Sequence, residues 1–372
     1  MKRILASVLA LTIIVTFASC GVVVSGNTEK KSESDSATNG VTIPETTAAE
    51  GSFSGVVFMT ENGKPVYQAA GGVEKDGADE PITIDTKFCV GSVSKQFAAA
   101  AILILQQDGK LKVTDKLSKY FPDYAYGDVL TLQNLLDMRS GIKEFYDVEF
   151  IDDAFTELPT GELRGVITND KTVAENQKTL EEWLMKQPLQ FAPDTDFEYC
   201  NSNYFLLARV VEIVSGKRYN EFVRERIFQP LGMTNTYFID DVDFREVDHL
   251  AAPSVYSKTV YVGITMGLGD MISNAHDMDL WLTSFRTNRV LTKESIEMMS
   301  TDYTEGVDED YGFGVRMSGS AIFHTGCITT YEAMTYTDPE KGINIFAVTN
   351  DDIHNDKSVD QICWNLIAGI GF

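Results

Sequence analysis

Gly91-Ser92-Val93-Ser94-Lys95-Gln96-Phe97 runs without a break into Ala98-Ala99-Ala100-Ala101-Ile102-Leu103-Ile104-Leu105. A helix that is apolar all round belongs in a protein interior. The pattern therefore sets a serine at the mouth of a buried helix, with a lysine three residues on. Residues three apart on a helix share a face, so Lys95 can reach the Ser92 hydroxyl. The positive end of the helix dipole favours a developing alkoxide. Burial disfavours the charged form of a lysine. These are the parts of an activated serine nucleophile. Ser-x-x-Lys is short, however, and ordinary composition supplies about one or two by chance in a chain of this length. A second copy, Ser140-Gly141-Ile142-Lys143, follows an apolar run instead of opening one.

The N-terminus reads as an export signal over residues 1–19. It has a basic start, Met1-Lys2-Arg3, then an apolar stretch to about Ala18. That stretch is short for a membrane span. Small residues before Cys20 are similar to a bacterial lipobox, although Phe17 stands where leucine is usual. Cys20 is therefore the expected lipidation site and the anchor to a membrane. Residues 20–50 are polar and small, with hardly any large apolar residues after Val24, and read as a flexible tether. Residues 51–372 then form the folded domain.

The formal net charge is −24, from 55 acidic and 31 basic residues, which makes nucleic acid an improbable partner. Cys89, Cys200, Cys327 and Cys363 form no Cys-x-x-Cys pair, and His249, His276, His324 and His354 form no His-Glu-x-x-His, so no metal site is expected.

Strands are expected over 54–60 and 65–70 around Asn62-Gly63, and over 331–337 and 342–349 around Asp338-Pro339-Glu340-Lys341. Helical spacing marks 132–138, 180–187, 204–214, 219–228, 278–285 and 358–367. The expected class is α+β, with an antiparallel sheet built from both termini, flanking helices and an inserted, mostly helical region. The acidic segment 142–178 reads as a binding loop or as a surface insertion.

Two further motifs follow the first. Tyr199-Cys200-Asn201 precedes the apolar helix near Tyr204, and His324-Thr325-Gly326 lies among strand-like residues. In the order Ser-x-x-Lys, Tyr-x-Asn, His-Thr-Gly, the chain resembles the serine β-lactamase and penicillin-binding protein superfamily. It is most similar to the class C-like branch of esterases, D-aminopeptidases and DD-carboxypeptidase-like proteins. The likeness extends to Asp108-Gly109-Lys110-Leu111, to 131–142, to Pro193-Asp194-Thr195, to Pro230-Leu231-Gly232-Met233 and to Gly267-Leu268-Gly269-Asp270. It covers roughly residues 53–350, makes Ser140/Lys143 a loop feature, and implies a β-lactamase/transpeptidase-like fold.

The resemblance assigns roles. Ser92 is the nucleophile, and Lys95 with Tyr199 is the base. Asn201 orients Lys95 and contacts substrate. The backbone N–H groups of Ser92 and Cys327 form an oxyanion hole. His324, Thr325 and Gly326 bind substrate along an edge strand. No cofactor is implied, and the partner is a small-molecule or peptide substrate. His324 stands where the family has lysine, and histidine is mostly neutral at pH 7, a weaker anchor for a substrate carboxylate. The expected activity is that of an extracytoplasmic, lipid-anchored serine hydrolase acting through an acyl-enzyme on an ester or amide, with cell-wall peptides among the candidate substrates. The alternatives are a β-lactamase, or a penicillin-binding or sensor protein without turnover. Cys200 and Cys327 read as small spacers inside the site.

Overall fold

The computed structural model describes residues 46–47, 53–75, 80–151, 154–243, 246–253, 263–304, 307, 309–351 and 358–369, with the backbone alone at 46–47, 148–151 and 154–158. The expected signal at 1–19, Cys20 and most of the tether lie outside the described residues.

Strands β2 (Gly55–Glu61) and β3 (Lys64–Gly71) form a hairpin. Its turn residues Asn62 and Gly63 have φ of 51° and 75°, the left-handed pair that a tight hairpin turn needs. Near the other terminus, β9 (Arg316–Ser318), β10 (Ala321–Ile328), β11 (Tyr331–Asp338) and β12 (Ile343–Thr349) pair in succession. Strand β12 pairs antiparallel with β2, so the two termini share one sheet, as expected. Strand β1 (Thr46–Thr47) adds to β3 in parallel, giving the order β1-β3-β2-β12-β11-β10-β9. Strand structure thus begins before residue 51, inside the stretch read as tether. One parallel pair also joins an otherwise antiparallel sheet.

Alternation along β12 shows how the sheet is covered. Phe346 and Val348 enter the main core, while Ile345 and Ala347 face a smaller core on the opposite side. Helix α9 (Val359–Ile367) covers that second face through Val359, Ile362 and Trp364.

The helical region comprises α1 (Ser94–Gln107), α2 (Leu132–Leu136), α3 (Val173–Leu184), α4 (Asn201–Ser215), α5 (Tyr219–Val223), α6 (Gln229–Leu231), α7 (Ala275–Thr287) and α8 (Lys293–Met299). Helix α3 begins well before the expected residue 180. Thr172 and Glu175 form a reciprocal capping box there, and the helix stops at Leu184. Past Val223, residues Arg224–Phe228 continue α5 as a π turn. The segment 142–178 is not a plain loop. It holds a hairpin, β5 (Tyr146–Ile151) and β6 (Ala154–Pro159), and then the start of α3.

Helix α1 is the centre of the main core. Phe97 stacks on Trp281 at 4.3 Å and meets Phe228 edge-on at 5.8 Å. Each such large side chain contributes about 2 kcal/mol by leaving water. A small sheet of β4 (Phe88–Cys89), β8 (Met271–Ser273) and β7 (Tyr237–Phe238), in the order β4-β8-β7, delivers the chain to that helix. Val90 donates to the Met271 carbonyl at 3.0 Å, which fixes where Gly91 begins.

Candidate active site

From Gly91 to Leu105 every residue is buried except Ser92. Ser92 lies in a 3-10 turn, Gly91–Val93, directly before α1. In such a turn residues three apart eclipse. Lys95 Nζ accordingly donates to Ser92 Oγ at 2.8 Å. The ammonium also donates to Asn201 Oδ1 at 2.8 Å and to the Leu268 carbonyl at 3.0 Å. Lys95 is fully buried, and a buried ammonium requires such partners.

Tyr199 sits just before α4, half-buried, with its ring centroid 4.8 Å from Lys95 Nζ. Asn201 is the first residue of α4 and not its side-chain cap. Its carboxamide oxygen turns to Lys95, and the start of the helix is served from elsewhere. The Glu144 carboxylate accepts from the Asn201 N–H, and also from the N–H groups of Phe145 and Tyr146. Cys200 is buried, and burial pushes its thiol well above the ordinary cysteine range. Its Sγ donates to the Ile142 carbonyl at 3.3 Å. All four described cysteines are free thiols, and Cys327 is half-buried.

The third motif lies on β10. Strand β9 pairs only with Ala321, Ile322 and Phe323, so β10 is a sheet edge from His324 onward among the described residues. A Cβ on Gly326 would stand 2.1 Å from the Val90 carbonyl oxygen and 2.8 Å from the Ser92 nitrogen. A Cβ on Gly91, whose φ is 52°, would stand 2.8 Å from the Cys327 nitrogen. Two glycines thus let the backbones of Ser92 and Cys327 meet beside the serine hydroxyl.

His324 is in the site but is not open to solvent. Its exposure is 2%, and burial, with Lys95 and Arg316 nearby, lowers its pKa to about 3. Nδ1 stands 2.5 Å from the Thr325 carbonyl oxygen, which can only accept, so Nδ1 carries the proton. Nε2 is 3.2 Å from the Tyr311 hydroxyl, which therefore donates to it. Both ring nitrogens are thus occupied by the protein.

The second Ser-x-x-Lys has another fate. Ser140 is buried and donates to Asn203 Oδ1 at 2.7 Å, while accepting from the Ile142 N–H at 3.0 Å. Lys143 Nζ lies 5.2 Å from the Trp183 ring centroid. The pair braces the start of α4. Asp194 stands where the family has a turn glycine. It holds φ at 66° and accepts from Asn134 Nδ2 at 2.8 Å.

Sequence reasoning did not single out Glu144, the Leu268 carbonyl or Tyr311. Leu268 acts through its backbone, which no residue type reports. Glu144 serves the first N–H of a helix 57 positions later. Tyr311 begins Tyr311-Gly312-Phe313-Gly314, a visible glycine pattern ahead of β10, and that was the signal available.

A serine at the entrance to a buried helix, a lysine-asparagine contact and a glycine-lined strand define a serine β-lactamase and penicillin-binding class of site. The chain belongs to the Beta-lactamase family, whose model matches residues 42–362. It is 28% identical to the putative penicillin-binding protein PbpX of Bacillus subtilis (strain 168) over 291 residues, 76% of this chain and 66% of that relative's length. The fold matches a penicillin binding protein from Bacillus halodurans with a TM-score of 0.71 and 22% identity, over 86% of this chain and 97% of that one. D-amino acid amidase from Ochrobactrum anthropi SV3 matches with a TM-score of 0.67 and 22% identity, over 86% and 96%.

Proposed function

We propose that this chain is an extracytoplasmic serine hydrolase that works through an acyl-enzyme on Ser92, with an ester or amide as substrate. The observation that carries the reading is the 2.8 Å contact from Lys95 Nζ to Ser92 Oγ, at the one unburied position of the α1 entrance. Ser92 Oγ bonds to the carbonyl carbon as its proton passes to the Tyr199 oxygen, which the neighbouring Lys95 ammonium favours in its ionised form. The oxyanion is stabilised by the N–H groups of Ser92 and Cys327. The bond to the leaving group then breaks, and the leaving group takes the proton. Water repeats the sequence and frees Ser92. Asn201 holds Lys95 in line, and Thr325 and Gly326 offer backbone along the open edge of β10 for an extended substrate.

The name of the Bacillus subtilis relative supports the binding of penicillin-like acyl donors. That of the Ochrobactrum structure supports a small amide. The neutral His324 weighs against an efficient β-lactamase, since penicillins carry a carboxylate. Export by residues 1–19 and anchoring through lipidated Cys20 belong to the same reading. Cys20→Ser should release the protein from the membrane fraction. Among the described residues no helix is long and apolar enough to cross a membrane.

Labelling with a fluorophosphonate and with a fluorescent penicillin, followed by peptide mapping, tests the mechanism. The adduct is expected on Ser92 and absent from Ser92→Ala. An adduct elsewhere, or one that persists in Ser92→Ala, overturns it.

A further inference from the structure

His324 is locked rather than merely neutral, and Tyr311 is the lock. The Tyr311 ring is fully buried and packs edge-on against Tyr199, at 6.2 Å and 88°. It meets His324 at 5.9 Å and 79°, and Phe197 at 5.8 Å. Its main chain is fixed as well, since its N–H donates to Thr304 Oγ1 at 3.2 Å and its carbonyl accepts from the Tyr303 N–H at 3.3 Å. The hydroxyl that meets His324 Nε2 is therefore held from several directions. Burial raises the pKa of the phenol, so the hydroxyl keeps its proton and remains a donor.

The surrounding charges do not supply what the imidazole lacks. Strand β10, Ala-Ile-Phe-His-Thr-Gly-Cys-Ile, carries no lysine or arginine. Lys95 is committed to Ser92, Asn201 and Leu268. Arg316 lies 5.7 Å from the Tyr311 ring centroid and is ion-paired to Glu309. A free carboxylate arriving beside β10 would lose its hydration and meet no ring N–H and, among the described residues, only cations already engaged with other partners.

We propose that Tyr311 is a specificity-determining positioning residue. By occupying His324 Nε2 it keeps the wall along β10 uncharged, so the site takes acyl donors whose end beside that strand is an ester or a blocked amide, not a free carboxylate. This rests on the serine-hydrolase reading above and names the substrate class for it. Tyr311 acts on substrate through His324 and through the support it gives Tyr199.

The test uses a matched thioester pair, N-benzoylglycyl-thioglycolate and its methyl ester, which differ only by a carboxylate in the leaving group. Thiol release gives kcat/KM, and competition against fluorophosphonate labelling of Ser92 gives a second reading when turnover is slow. Wild type should favour the methyl ester by about tenfold or more. His324→Lys should reverse the preference. Tyr311→Phe, which keeps the ring and removes the hydroxyl, should narrow it by about threefold through KM for the acid. Nitrogen NMR of His324 should find Nε2 as the bare nitrogen in wild type, with its resonance displaced in Tyr311→Phe. A structural role for Tyr311 alone would leave that resonance and the acid-to-ester ratio unmoved. Equal kcat/KM for the pair, preference for the acid, or a protonated Nε2 overturns the proposal and leaves the hydrolase reading standing. Absence of both turnover and Ser92 labelling overturns the hydrolase reading, and this proposal with it.

Discussion

The chain holds Ser-x-x-Lys twice, and the two copies do opposite things. In Ser92/Lys95 the lysine is fully buried and donates to the serine, while the serine alone of its segment stays partly open. In Ser140/Lys143 the serine is buried and spends its hydroxyl on Asn203, while the lysine turns away to lie over Trp183. The four-residue pattern is the same. What differs is which neighbours take the hydroxyl and the amine. The first copy opens a buried helix, so its lysine cannot reach water and must be paired inside. The second sits on a loop, where the lysine can keep a solvated head. A nucleophile is thus made by denying the lysine its water, and not by the motif itself.

The largest effect that bears on this contrast is loss of the first pair. Lys95→Met should cut Ser92 labelling by about 10³-fold or more, by analogy with removal of a base from a catalytic triad. Ser140→Ala should leave the labelling rate within about threefold. It should instead cost about 1–3 kcal/mol of stability, because Asn203 Oδ1 loses its partner inside the core. Fluorophosphonate labelling kinetics and urea unfolding measure the two outcomes. A Ser140→Ala protein that folds normally and fails to label would erase the distinction.

Gly326→Ala comes next. The added methyl would press on the Val90 carbonyl and the Ser92 nitrogen, both backbone atoms. Labelling should fall by about 10²-fold, the scale of losing one oxyanion donor. Gly141 gives the parallel at the second copy. There an added methyl would meet the Phe191 carbonyl oxygen at 2.2 Å, so Gly141→Ala should damage folding more than chemistry. Wild-type labelling by Gly326→Ala would mean that the close approach of β10 to Ser92 is incidental.

Much of this layout was readable beforehand because the chemistry sits in consecutive residues. Ser92 and Lys95 are neighbours on one turn, and the apolar run behind them announces burial. Asp194 could be anticipated, since aspartate tolerates the left-handed backbone it adopts. The start of α3 was also visible in Thr172-x-x-Glu175, but apolar spacing there is diluted and the helix was placed too late. The role of His324 was only half readable. Its neutrality follows from its residue type, whereas its lock depends on Tyr311, 13 positions away and outside any motif. Glu144 and the Leu268 carbonyl were invisible for a different reason. Each completes a hydrogen bond for a distant segment, and that need appears only when the segments meet.

A pH comparison sharpens the contrast at smaller scale. Histidine in the unfolded chain titrates near 6.5, and His324 in the folded protein near 3. Below pH 6.5 the unfolded state binds a proton that the folded state refuses, so stability falls with pH by about 1.4 kcal/mol per unit from this group. Asp137, pushed up to about 7 by burial, acts with the opposite sign, as does Asp240 at about 6. A comparison with His324→Gln cancels both. Between pH 7.5 and pH 5 that variant should gain about 2 kcal/mol relative to wild type. Ser140→Ala should follow the wild-type slope. Urea unfolding at the two pH values measures this, and parallel slopes for wild type and His324→Gln would mean that His324 is not held neutral.

The smallest effect is expected at Lys143, and it isolates what the second lysine is for. Its ammonium lies 5.2 Å from the Trp183 ring centroid, and Trp183 Nε1 in turn donates to Glu162 Oε2 at 2.5 Å. A cation over an aromatic face at a partly exposed position is worth about 0.5–1 kcal/mol. Lys143→Met keeps the length of the stem and removes the charge. It should lower the free energy of unfolding by about that amount and leave Ser92 labelling unchanged, where Lys95→Met abolishes labelling. The two lysine-to-methionine changes are the same chemical edit at the same place in the same motif, so the difference between them measures what burial and the neighbours of each lysine contribute. A drop of more than about tenfold in labelling by Lys143→Met would show that the second copy reaches the chemistry after all, through Glu144 and the start of α4.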